Sequence, residues 1–340
     1  MGAPQLTRPT FTLPDMHYLS RRTTVVAGML AATVALGTPA RAQGPAFTPR
    51  PLPAPGVTSF TFQSPSMGVT YDVSVWVPPG YKPEDGKKLP LLVLTDGNLA
   101  FNAGLDAARS LVTAQAIVPI MIASIGTPPE DGEMAFVKRR VYEFSPPDWD
   151  MKDPFGAGVS QICGQIGSAP GRCVGGAPAF LKVINTELIP GLAQRFPVDT
   201  SQLGLFGVSA GGFFASFVLF QPESRFTKYI ISSPAMAYGG DQIHRMEADY
   251  AKGHTDLKAG IALSAGTLEM NDPYLEGVGH IVSGTMRFGA ALTSRKYPGL
   301  RLTTFMLEGL GHGDAAGAAL ARGLRFLYAS GAADNFQMKK

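Results

Sequence analysis

Hydrophobic positions along this chain fall into short runs that switch between the period of a strand and the period of a helix. Thr58 to Gln63 and Thr70 to Val77 alternate in polarity, with Tyr71, Val73, Val75 and Val77 on one side, as a half-buried strand requires. Pro90 to Thr95 is a continuous apolar run, the pattern of a strand buried on both faces. A helical period spans Leu99 to Thr113, and a strand follows at Pro119 to Ile125. From Ala177 to Arg195 the residues Phe180, Val183, Ile184, Leu188 and Leu192 line one side of a helix. Beyond it the spacing predicts strand 203–208, helix 210–220, strand 227–232, an excursion over 233–256, strand 259–264, helix 277–296, strand 300–307, a loop over 308–313 and helix 314–329. Strands alternating with helices predict an α/β fold: a mostly parallel central sheet with helices on both faces. Residues 127–175 show no clear period, hold many Pro and Gly, and read as one long loop or insertion, usually a functional one.

The first 42 residues carry a different pattern. Ser20-Arg21-Arg22-Thr23 precedes an uncharged apolar span from Val25 to Leu36, and Ala40-Arg41-Ala42 follows. A twin arginine, an apolar stretch too short for a membrane helix and an A-x-A site are the parts of a twin-arginine signal peptide. Residues 1–42 are therefore expected to be removed, residues 43–57 to form a Pro- and Ala-rich extended lead-in, and 58–330 to form one α/β domain. The mature chain is expected in the periplasm or outside the cell, without a stable membrane anchor. Four arginines against one aspartate give this leader the whole net charge of +3. The rest is balanced and lacks basic runs, so composition gives no footprint for nucleic acid and no polybasic patch for lipid. Cys163 and Cys173 are the only cysteines, separated by loop-forming residues, and in an oxidising compartment they are expected to pair as a disulfide.

The chemistry concentrates at Gly207-Val208-Ser209-Ala210-Gly211, which lies between a strand-like and a helix-like run. In a chain with 40 glycines among 340 residues such spacing arises readily, so its position decides. Lifting a Ser hydroxyl to the tip of a strand-to-helix turn forces a strained backbone, and side chains two residues away on either side would collide with their neighbours. Ser209 is thus a candidate nucleophile.

A serine hydroxyl needs a base to take its proton and a third group to orient that base. In chains with this elbow the order is Ser, acid, His. His17 lies in the leader, His244 and His254 flank a polar helical stretch, and His280 stands at a helix start. His312 sits in Gly309-Leu310-Gly311-His312-Gly313 after the last strand, where glycines let an imidazole swing over the sheet edge. The strand ending near Ala265-Gly266 leads into Thr267-Leu268-Glu269-Met270-Asn271-Asp272. Glu269 is the preferred acid, Asp272 the alternative, and a Ser-His dyad without either stays open. The N–H of Ala210, at a helix start, can donate to a developing oxyanion. The turn Asp96-Gly97-Asn98 offers the second donor, Asn98 N–H, with Gly97 allowing close approach. Asp96 is a weaker reading as a metal ligand, because no matching cluster accompanies it; no metal or organic cofactor is implied.

Several segments together resemble the enterochelin-esterase-like branch of the esterase family of α/β-hydrolases. They are YDVSVWVPPGY at 71–81, LTDGNLAF at 94–101, RVYEFSP at 140–146, the elbow, the Ser232-Ser233-Pro234-Ala235 turn, and GHGDAAGAALARGLRFLY at 311–328. The resemblance covers about Ser64 to Tyr328. It implies an α/β-hydrolase fold and a secreted serine esterase that forms an acyl-enzyme on Ser209. The substrate is then a small-molecule ester, of siderophore type or a related carbohydrate or aryl ester. It also places Gly97 and Asn98 at the oxyanion site and Arg140 in the pocket wall, as a contact for carboxylate or catecholate. Acyl transfer on the same fold, and ligand binding without catalysis, are the alternative readings. Oligomeric state is not legible.

Overall fold

The structure is a computed structural model that describes residues 54–81, 86–147, 151–152, 154–168 and 172–331. The expected signal peptide and most of the lead-in lie outside the described residues. Eight strands form one sheet: β1 (Val57–Gln63), β2 (Thr70–Trp76), β3 (Leu89–Leu94), β4 (Met121–Gly126), β5 (Val198–Val208), β6 (Lys228–Ser232), β7 (Ala259–Gly266) and β8 (Leu300–Leu307). Their order across the sheet is β1-β2-β4-β3-β5-β6-β7-β8. The β1–β2 and β2–β4 pairs are antiparallel, and every pair from β4–β3 to β7–β8 is parallel. The expected α/β architecture is therefore present, with two antiparallel strands at one edge.

The continuous apolar runs exist because the central strands are covered twice. Successive side chains point to opposite faces. Leu91, Val93, Leu205, Ile231 and Leu263 enter one core, whereas Leu92, Leu94, Phe206, Ile230 and Ala262 enter the other. The second core lies under α1 (Gly97–Thr113) and α9 (Ala315–Tyr328), which pack against each other. The first lies under a larger group of helices. These are α2 (Gly132–Phe144), α3 (Pro154–Gln165), α4 (Ala177–Val183), α5 (Ile189–Arg195), α6 (Ala210–Val218), α7 (Tyr238–Gly253) and α8 (Ile281–Arg295). A π-helical turn, Ile184–Leu188, joins α4 to α5. Pro190 follows it and has no N–H to donate, which suits the local widening of the helix. Among the described residues no helix is long and apolar enough to cross a membrane.

Two expectations need correction. Residues 127–175 are not one long loop: they contain a 3₁₀ turn at Pro129–Asp131 and the helices α2 and α3. Phe136, Val137, Val141 and Phe144 recur at helical spacing, and α2 packs on α4 and α6. Likewise the excursion 233–256 holds α7, whose start is bent where Gly239, Gly240 and Asp241 take left-handed backbone angles (φ 58°, 62° and 62°).

Cys163 and Cys173 form a disulfide with their Cα atoms 5.8 Å apart, and both are buried. The bond ties the end of α3 to the chain entering α4. Closing so short a loop removes denatured-state entropy worth about 2–3 kcal/mol. Replacing both cysteines by serine is expected to lower the unfolding free energy by about that amount in denaturant titrations; an unchanged midpoint would contradict the assignment of a structural role.

Candidate active site

The carboxyl ends of β5 to β8 bring the candidate groups to one edge. Ser209 follows β5 and precedes α6 with φ 59° and ψ −121°, angles a residue with a side chain rarely adopts. Its N–H donates to Ser232 O at 3.0 Å, and its own carbonyl accepts from Phe213 N–H at 2.9 Å. The flanking glycines are needed for contact. A Cβ at Gly207 would overlap the Gly211 carbonyl, and one at Gly211 would stand 2.7 Å from Thr95 Oγ1 and 3.2 Å from Asp96 Oδ2.

His312 lies in the turn between β8 and α9. Its Nδ1 is 2.6 Å from Glu269 Oε1. A carboxylate can only accept, so Nδ1 carries the hydrogen, and in the neutral ring the lone pair is then on Nε2. Glu269 is buried in the 3₁₀ turn Thr267–Asn271 directly after β7. Its other oxygen accepts from Gly266 N–H at 2.6 Å and from Ser233 Oγ–H at 2.9 Å. Three donors thus hold one carboxylate. The turn carrying His312 is tied to this segment by Leu268 N–H to Leu310 O at 3.0 Å and Gly309 N–H to Thr267 Oγ1 at 2.9 Å. Hydrogen bonds therefore run along the edge from the residue after β5 to the turn after β8. Asp272 does something else: its Oδ1 accepts from the N–H groups of Tyr274 and Leu275 at 2.8 and 2.9 Å and closes an exposed turn. Ser233, with φ 44°, was not among the sequence candidates; its presence in a motif-bearing turn was the available signal.

On the other side of Ser209 stands the turn from β3 into α1. Asp96 takes left-handed angles (φ 52°, ψ 47°) and caps α1, its carbonyl accepting from Leu99 and Ala100 N–H at 2.8 and 2.9 Å. Gly97 and Asn98 open α1 as Ala210 opens α6, and first-turn N–H groups have no acceptor within their own helix. The Asn98 side chain is also a clamp. Its Oδ1 accepts from Thr127 N–H at 2.8 Å and its Nδ2 donates to Thr127 O at 2.7 Å, fixing the turn to the chain after β4.

Arg140, on α2, reaches the same turn. Nε and Nη2 donate to Asp96 Oδ1 and Oδ2 at 2.8 and 3.0 Å, a two-pronged pair on a carboxylate whose side chain is 1% exposed. Nη2 also approaches Val208 O at 3.5 Å, next to the elbow. Asp96 thereby anchors α2 to the turn from β3 into α1, a role the sequence did not suggest. Arg140 still borders a cavity of about 170 Å³ that opens beside Ala210 and is otherwise walled mainly by apolar and aromatic side chains of α2, α3 and α7. His244 sits against Arg287 Nε at 3.1 Å, His280 lies 3.8 Å from Asp241, and His254 stacks on Tyr250; none joins this edge. Among the described residues no group of three His, Cys, Asp or Glu is arranged to hold a metal.

No protein-family model matches the chain. It is 27% identical over 232 residues to the siderophore triacetylfusarinine C esterase of Aspergillus fumigatus, covering 66% of this chain and 72% of that protein. It is 24% identical to the ferri-bacillibactin esterase BesA of Bacillus subtilis, over 80% of this chain and 89% of the relative. Among solved structures, the siderophore hydrolase EstA from Aspergillus nidulans superimposes with a TM-score of 0.68 at 22% identity, over 83% of this chain and 98% of the other. The resemblance to enterochelin-esterase-like α/β-hydrolases therefore extends over most of the described chain, and the fold is that of an α/β-hydrolase.

Behind Arg140, Glu143 is buried with Tyr71 Oη–H and Arg139 Nε donating to its Oε1 at 2.9 and 3.2 Å. Burial pushes its carboxyl from the ordinary 4.5 to about 7, because loss of water outweighs the help of Arg139 and Tyr71. A carboxyl with a raised folded-state pKa contributes stability that is complete below its unfolded pKa and lost as pH rises through the folded value. Melting curves between pH 4 and 8.5 are thus expected to show stability falling progressively from about pH 4.5 to about pH 7 and levelling off above it in the parent, a trend absent from Glu143→Gln; parallel profiles would contradict it.

Proposed function

We propose that the chain is a serine esterase, a carboxylic ester hydrolase, with Ser209 as nucleophile. The observation that carries this reading is a buried carboxylate holding His312 in the tautomer a base requires, on the same sheet edge as the strained Ser209 turn. The relatives named siderophore esterases support hydrolysis of an ester.

His312 Nε2 takes the proton as Ser209 Oγ bonds to the ester carbonyl carbon, giving a tetrahedral oxyanion. Glu269 stabilises the imidazolium and keeps its orientation. The N–H groups of Ala210 and Asn98, each at a helix N-terminus, receive the oxyanion, and Gly97 lets that turn lie close. Loss of one such donor costs about 3–4 kcal/mol of barrier. The imidazolium then protonates the leaving alcohol as its bond to carbon breaks. Water, deprotonated by His312, attacks the acyl carbon; the bond from that carbon to Ser209 Oγ then breaks as the imidazolium returns the proton to Oγ, and the acid leaves. Arg140 borders the substrate cavity, and through Asp96 it fixes the turn that carries Asn98.

The leader pattern and the Cys163–Cys173 bond support export of the enzyme through a twin-arginine signal to the periplasm or beyond. A siderophore-type ester is the substrate class suggested by the relatives' names.

Ser209→Ala is expected to keep its fold and lose about 10⁶-fold in kcat on p-nitrophenyl acetate. Persistence of the parent rate in that variant would end the esterase reading. Glu269→Gln retains an oxygen for Ser233 and Gly266 but favours the wrong imidazole tautomer, so a loss of about 10³–10⁴-fold is expected. Asp272→Asn is expected to stay within about threefold of the parent, since Asp272 only closes its own turn; the opposite ranking of the two variants would transfer the acid's role to Asp272.

A further inference from the structure

On that reading, we infer that the cavity beside Ala210 is the acyl pocket, and that it selects an uncharged acyl group of about one aromatic ring over an anionic one. The assignment to the acyl side follows from what the cavity touches. It reaches Ala210, whose N–H serves the oxyanion, and Arg140, which grips the turn carrying Asn98. Neither Ser209 nor His312 is in its wall; it starts one residue past the nucleophile, at Ala210, and extends under α2 and α3, whereas the leaving alcohol must sit against His312 to receive its proton.

Size and polarity set the selectivity. The cavity holds about 170 Å³, and a protein cavity of about 150 Å³ suffices for benzene. Phe136 and Phe144 of α2, Val159 and Ile162 of α3, and Tyr238 and Tyr274 supply the surface. Arg140 alone brings a full charge, and the buried Asp96 carboxylate already balances it through two hydrogen bonds. An incoming carboxylate would shed water against an apolar wall and compete with Asp96 for the guanidinium, while displacing Asp96 would leave a buried anion unpaired. The wall is also fixed in place. Val159 precedes Cys163 by about one helical turn on α3, and the disulfide at Cys163 holds that helix to the chain entering α4. The pocket therefore fits esters of neutral monocyclic aromatic acids, or of aliphatic acids of similar bulk.

The test compares kcat/KM for p-nitrophenyl acetate, p-nitrophenyl benzoate and the p-nitrophenyl monoester of terephthalic acid, which adds one carboxylate to the same ring. Expected is a benzoate value at least tenfold above acetate and at least a hundredfold above the terephthalate monoester. Equal or faster turnover of the terephthalate monoester would overturn the inference. Ile162→Trp and Val159→Phe, which fill the cavity from two positions, are expected to reduce the benzoate-to-acetate ratio at least tenfold. An unchanged ratio in a folded variant would place the acyl group elsewhere and likewise overturn it. If the folded parent turns over none of the three esters, the esterase reading itself fails and the pocket assignment falls with it; turnover of acetate alone preserves the esterase and refutes the pocket.

Discussion

One backbone conformation governs the rest of this sheet edge: Ser209 is held at φ 59°, where an L-residue costs of order 1–3 kcal/mol. The strand before it and the helix after it are both buried, and the Ser209 N–H is committed to Ser232 O, so the turn cannot relax without breaking β5–β6 pairing and two cores. Gly207 and Gly211 make the conformation possible by allowing backbone to touch backbone and the Thr95-Asp96 turn to close in. The strain is sustained by hydrophobic burial in elements far from the hydroxyl it presents.

Around that turn two polar assemblies divide the work. On the β7–β8 side, Gly266 N–H, Ser233 Oγ–H and His312 Nδ1–H converge on one buried carboxylate, which fixes an imidazole on a glycine-rich turn that would otherwise have many orientations. On the β3–β4 side, Arg140 and the Asn98 clamp hold the start of α1 from two directions. Full pairing of Arg140 with Asp96 has a consequence for binding. A cation that looks available in the linear sequence is neutralised within the fold, so the adjoining cavity offers shape and apolar surface more than charge.

The strands and most helices were legible because their signals are local: apolar runs for strands covered on both faces, and a helical period for the segments packed on them. The elbow was legible because steric need for glycine recurs at fixed spacing. Helices α2 and α3 escaped notice because Gly and Pro flank them and their apolar faces gain meaning only against α4, α6 and α7. The partners of Asp96 and Glu269 had no local signature either. Arg140 lies 44 residues from Asp96, and Ser233 lies 36 from Glu269. Between Glu269 and Asp272, three residues apart, the sequence offered only a preference. The 3₁₀ turn separates them physically, directing one carboxylate inward to His312 and leaving the other to close a surface turn.

Whether this edge is a working nucleophilic site is tested most directly by treating the folded protein with a fluorophosphonate probe and locating the adduct by peptide mass spectrometry. Predicted is one adduct, on the peptide containing Ser209, formed far more slowly in His312→Ala. An adduct on a different residue, no adduct at all, or labelling indifferent to the loss of the imidazole would contradict the assignment of Ser209 and His312 as a catalytic pair.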